Sequence, residues 1–101
     1  MENRPRLVKV RIRGAVQGVG YRAWAQSRAQ QRQLTGYVRN CENGDVEALF
    51  IGAAESVSVM IEACRMGPRM ARVAAVDVEE IVAAAAAELL SLREFTIRPT
   101  S

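Results

Sequence analysis

The sequence has no histidine among its 101 residues. That absence removes Ser-His-Asp chemistry, phosphoryl transfer through histidine and histidine metal sites together. Cysteine is scarce as well: Cys41 and Cys64 show neither metal-ligand spacing nor a disulfide framework, and both read as free thiols. A phosphatase built on a nucleophilic cysteine places an arginine six positions later, where this chain has Glu47 and Met70. Lys9 is the sole lysine, and the arginines that supply the remaining basic charge are scattered over every segment. A net charge of +3 so distributed suits a small anionic substrate better than a nucleic-acid surface. Genome composition accounts for the abundance of arginine and alanine equally well. The five aromatics do not form an RNA-binding signature around the strands, so no nucleic-acid partner is expected. No apolar run approaches the ~20 residues of a membrane helix, and the opening residues have no hydrophobic segment of a secretory signal behind them. The expectation is a cytoplasmic protein with no membrane partner.

What is present fits one domain spanning residues 1–101, half of it apolar and a quarter charged. Val8, Val10 and Ile12 alternate with Lys9, Arg11 and Arg13, which predicts a half-buried strand over 7–13. Tyr21, Trp24, Ala25 and Ala29 recur at helical spacing and predict a helix over 21–33, after which Thr35-Gly36 resets the chain for a strand. Two short strand patterns at 37–41 and 45–51 flank Glu42-Asn43-Gly44, a pair-forming turn signal, with Val46, Ala48 and Phe50 on one face. Val57, Met60, Ile61 and Cys64 make one stripe of a second helix stopped by Gly67 and Pro68, so Cys64 reads as core. A fourth strand over 73–80 changes phase between Val73 and Val76, which predicts a bulge. Five alanines before Glu88-Leu89-Leu90 favour a short helix within 81–92 on propensity alone. Phe95 and Ile97 alternate as a short last strand. The order is βαββαβ plus an extra strand, which predicts an α+β ferredoxin-like sandwich: an antiparallel sheet with two helices on one face.

The chemistry concentrates in Gly14-Ala15-Val16-Gln17-Gly18-Val19-Gly20-Tyr21-Arg22, a glycine-rich turn leaving the first strand and opening the first helix. Such a turn aims successive main-chain N–H groups at one point, where the positive end of the helix adds to the field. Arg22, forked and always charged, is placed to close over the same point. On local grounds a tight turn whose glycines only supply positive φ is the alternative. A dinucleotide fingerprint fits poorly, because the next strand turns into an antiparallel partner and no acidic residue ends it; a Walker loop fails for want of Lys-Ser or Lys-Thr.

GAVQGVGYR followed by GYVRNCENGDVEAL resembles the acylphosphatase family, whose signature is a G-x-V-Q-G-V-G-[FY]-R loop and then a G-[WY]-V-x-N strand with an N/D-G-x-V-E turn. The resemblance continues through Met66-Gly67-Pro68-Arg69-Met70-Ala71-Arg72-Val73 and ends near Phe95 to Arg98; over 81–92 it implies a polar loop where propensity favours a short helix. It implies the same fold and hydrolysis of the carboxyl-phosphate bond of acyl phosphates. It implies a phosphate held by Ala15, Val16, Gln17, Gly18, Val19, Gly20, Tyr21 and the Arg22 side chain, with Asn40 orienting the attacking water. On residue statistics alone Asn40 would be a strand-end asparagine bonding its own turn. Tyr21 stands where phenylalanine is common, and the ending Arg-Pro-Thr-Ser lacks the aromatic residue often found there.

Acyl-phosphate hydrolysis suits a chain without histidine, since the carboxylate leaves without needing a proton and no general acid is required. Backbone N–H groups and one arginine can hold the charge spread over the equatorial oxygens. With no basic side chain nearby in sequence, a phosphate oxygen is left to take the proton of the water. No metal or other cofactor is expected. Inorganic phosphate or sulfate should compete as anions, and a monomer is expected. The competing reading is a non-catalytic phosphate- or RNA-binding ferredoxin-like module.

Overall fold

A computed structural model describes residues 4–101. The alternation at the start of the chain builds β1 (Arg6–Ala15), whose Val8, Val10 and Ile12 are wholly buried. There follow α1 (Tyr21–Gln31), β2 (Thr35–Asn40), β3 (Val46–Gly52), α2 (Ala54–Met66), β4 (Arg72–Ile81), two 3₁₀ turns (Ala83–Ala85 and Ala87–Ser91) and β5 (Phe95–Ile97). The sheet order is β4-β1-β3-β2-β5. Its first four strands are antiparallel to their neighbours, as the sequence predicts, while β5 adds to the β2 edge in parallel. The expected bulge is there: Arg13 pairs with Ala75 and Gly14 with Val73, leaving Ala74 as the extra residue.

Both helices cover one face. Ala25 and Ala29 of α1, and Val57, Met60, Ile61 and Cys64 of α2, close over Val8, Val10, Ile12, Val38, Val46, Ala48 and Phe50. Phe95 stacks on Phe50 at 5.5 Å between ring centres, and main-chain bonds from Gly36 to Glu94 and from Arg98 to Val38 flank the short β5. The Tyr21 hydroxyl donates to the Cys64 carbonyl at 2.7 Å, satisfying an orphan acceptor of the last turn of α2 and tying the start of α1 to it.

The helix α1 stops at Gln31, two residues short of the expected 33. Gln33 takes the left-handed conformation (φ 60), and the Leu34 N–H reaches back to the Ala29 carbonyl at 2.9 Å. Gly36 lies inside β2, where a Cβ would run into the Leu49 carbonyl.

The segment 81–92 forms two 3₁₀ turns rather than an α-helix. A helix that short does not recover its nucleation cost, so packing decides. Ile81, Ala83, Ala86, Leu89 and Leu92 lie over Leu7, Tyr37, Leu49 and Ile51, a second, smaller core on the helix-free face.

Candidate active site

The loop between β1 and α1 is shaped by Gly18 (φ 75) and Gly20 (φ 80), left-handed positions that side chains disfavour. A Cβ on either would meet nothing within 4 Å, so their need for glycine is conformational and the space above them is open. Gly20 is also the N-cap of α1 and supplies no capping side chain; the first turn holds no acidic residue. Among the described residues, none of the main-chain N–H groups from Gln17 to Ala23 donates to a protein acceptor. A helix start normally finds such a partner in its own cap. Here the N–H groups and the positive end of the helix dipole are left to a cavity that most of these residues line.

That cavity, about 260 Å³, is lined by Val16, Gln17, Gly18, Gly20, Tyr21, Arg22, Ala23, Asn40 and Ile97. It therefore gathers the loop, Arg22 and Asn40. Ala15 ends β1 opposite Arg72, and Val19 packs its side chain against the core; neither lines the cavity. Arg22 is half-buried and forms no ion pair among the described residues. Asn40 shares the helix-covered side of β2 with Val38, and its carboxamide makes no bond to its own turn. Asn43 does that work, accepting from the Asp45 N–H at 3.0 Å, while Gly44 (φ 99) bonds back to the Cys41 carbonyl at 3.1 Å.

Two lining residues escape sequence reasoning. Ala23 follows Arg22 within the first helical turn, and its N–H could have been counted from helix geometry alone. Ile97 arrives from β5, and nothing local in the sequence announces that the last strand lies beside β2. The end of the chain also reaches the site: the Ser101 N–H donates to the Asn40 carbonyl at 3.1 Å, and the Glu42 N–H donates to the Ser101 main-chain oxygen at 3.2 Å.

The Tyr21 phenol is held well above its ordinary range, first by burial and then by its neighbour Cys64, so it stays neutral where it donates to the Cys64 carbonyl. Burial likewise pushes the Cys64 thiol up to about 12. Among the described residues no three His, Cys, Asp or Glu side chains are grouped to hold a metal ion. Asp45 and Glu47, the nearest acidic pair in sequence, are both engaged by Arg11. No helix of the described residues is long and apolar enough to cross a membrane.

Fold and site together define a ferredoxin-like sandwich with an electropositive cavity at an uncapped helix start. A family model described as Acylphosphatase matches residues 8–97, and the chain belongs to that family. An acylphosphatase of Bradyrhizobium diazoefficiens is 46% identical over 98 residues, covering 93% of this chain and 95% of that relative. One from Alcanivorax borkumensis is 54% identical over 71 residues, covering 70% of this chain and 77% of the relative. The solved structure of an acylphosphatase from Coxiella burnetii superposes with a TM-score of 0.84 at 34% identity, covering 94% of each chain.

Proposed function

We propose that this cavity hydrolyses the carboxyl-phosphate bond of acyl phosphates, with the phosphate in the loop and Asn40 beside it. The activity is that of the family to which the chain belongs. The division of labour among residues is our reading of the geometry. It rests on one observation: N–H groups undonated among the described residues, an arginine without a carboxylate partner among them and an asparagine not spent on its own turn meet at a single cavity.

The N–H groups from Gln17 to Tyr21 and the Arg22 guanidinium hold the equatorial oxygens of the phosphoryl group, and tighten on them as charge shifts outward in the transition state. The Asn40 carboxamide, able to accept and donate at once, orients a water in line with the leaving carboxylate. The water oxygen bonds to phosphorus while the phosphorus–oxygen bond to the acyl group breaks and its electron pair departs on the carboxylate. One water proton passes to a phosphate oxygen, so carboxylate and dihydrogen phosphate result. The departing group needs no proton, and no side chain with an ordinary pKa near neutrality lines the cavity to supply one. Inorganic phosphate and sulfate, resembling the bound group, compete for the same N–H set.

The reading of the domain as an RNA-binding module finds less support. The helix-free face offers Tyr37 as its aromatic, and the Arg98 guanidinium already sits 4.1 Å from the centre of that ring. The deciding experiment is release of phosphate from benzoyl phosphate by the purified protein in chelator. Turnover supports the proposal. Protection of the loop N–H groups from hydrogen exchange by inorganic phosphate, without turnover, would make the domain a binding module.

A further inference from the structure

The Gln17 side chain does something that its place in the loop does not require. Its Nε2 donates to the Cys41 carbonyl at 2.8 Å and to the Asp45 carbonyl at 2.8 Å, across 24 and 28 residues of chain. Both partners are acceptors, so the orientation of the carboxamide is fixed and both of its protons are used. The β2–β3 turn does not depend on them for its closure. Cys41 N–H already donates to the Asp45 carbonyl at 2.8 Å, and Gly44 N–H to the Cys41 carbonyl at 3.1 Å. Each of these carbonyls therefore accepts one bond that closes the turn and a second from Gln17. The second bond joins two parts of the site that are otherwise built separately. One is the loop shaped by its glycines; the other is the end of β2, where Asn40 immediately precedes Cys41.

We propose that Gln17 is a positioning residue that sets the separation between the phosphate cradle and Asn40, and so the line along which water meets phosphorus. The proposal rests on the water-orienting reading of Asn40 given above. In-line attack tolerates little error in that separation: a misplacement of about 1 Å can cost on the order of 10²-fold in rate. The cradle keeps its own shape without the tether, because Gly18, Gly20 and the start of α1 determine where its N–H groups point. Loss of the tether should consequently appear in turnover and spare the affinity for inorganic phosphate.

The test compares Gln17→Met, which keeps length and removes both donors, and Gln17→Ala, each alone and combined with Asn40→Ala. Turnover of benzoyl phosphate and the inhibition constant of inorganic phosphate are measured on folded protein. The expected result is a fall in kcat of about 10- to 10²-fold in both Gln17 variants, with the phosphate constant within about twofold. In the Asn40→Ala background the Gln17 loss should shrink to about twofold or less, because what the tether aims is already gone. Gln17→Glu, which sets a carboxylate against two carbonyls, should fall further than Gln17→Met. Unchanged kcat, a full multiplicative loss in the double variants, or phosphate affinity falling in step with kcat would each overturn the tether. If Asn40→Ala alone leaves kcat intact, the reading of Asn40 fails first and takes the tether with it, a pattern distinct from the other three.

Discussion

On the helix-free face, Arg11, Glu47 and Arg39 stand in one row across β1, β3 and β2, directly paired by the strand register. The Glu47 carboxylate, 4% exposed, takes Arg39 at 2.9 Å, Arg11 at 3.3 Å and the Tyr37 hydroxyl at 3.1 Å, and Arg11 also reaches Asp45 at 3.4 Å. On the helix-covered side, Arg22 and Asn40 reach the cavity with no such partners among the described residues. Arginine stands in both places; what differs is whether the neighbouring chain has already answered it. A charge answered by protein holds the protein together, and one left unanswered at a helix start is available to a substrate.

That contrast can be broken most forcefully at Arg22. Arg22→Ala should lower kcat/KM by about 10³-fold or more, in the range for an arginine that stabilises a transferring phosphoryl group. Arg22→Lys should fail too, since an ammonium cannot make the forked contact. A Michaelis constant and turnover near wild type in either variant would return Arg22 to the surface. Asn40→Ala should cost about 10²- to 10⁴-fold in kcat with the inhibition constant of phosphate little changed. Its stability should also hold, because the turn is bonded by Asn43 and by main chain; a lowered denaturant midpoint with normal turnover would make Asn40 structural.

Glu47→Gln sharpens the comparison from the other face. Removing the carboxylate leaves Arg11 and Arg39 facing each other, both about one-third exposed. Solvent therefore moderates the loss to about 1–3 kcal/mol. Activity per folded molecule should persist, and a fall in kcat without a fall in stability would show the two faces to be coupled.

The response to pH is confined to alkaline solution. Cys64, raised from 9.0 to about 12, keeps its proton longer folded than unfolded. Its contribution to stability is complete below about 9 and is lost as pH rises toward 12, at a slope of up to about 1.4 kcal/mol per pH unit. Cys64→Ala should flatten that alkaline slope while lowering stability overall, which denaturant titrations at several pH values would reveal. Over the same variants chelator should leave kcat unchanged; a Mg²⁺ requirement would point to Asp45 and Glu47 acting as ligands instead of ion-pair partners.

The parts of this molecule that were legible in its sequence are those whose cause is local. The cradle is nine consecutive residues, and its glycines, helix start and arginine declare their geometry by spacing alone. The stripes of β1 and α2 and the bulge at Ala74 follow from period. Asn40 was legible only through the paired motifs, since an asparagine ending a strand says nothing by itself about which loop it faces. Period also gives a strand without its neighbour, so β5 could be seen but not its parallel place beside β2, nor Ile97 in the cavity wall. The tether of Gln17 was invisible because its targets are main-chain carbonyls, which every residue owns. The run at 81–92 misled on propensity because Leu89 and Leu92 needed the exposed side of Leu7, Tyr37 and Leu49 covered.

The placement of β5 has a temporal side. Synthesis delivers the cradle first, Asn40 next, and the strand that supplies Phe95 and Ile97 after both. Such long-range pairings are the slow ones in folding, because the intervening loop must be closed before the contact returns anything. The pocket wall is thus finished by a segment made after both Arg22 and Asn40, so the order of synthesis puts the two candidate catalytic residues on hand before the residue that closes the side of their cavity.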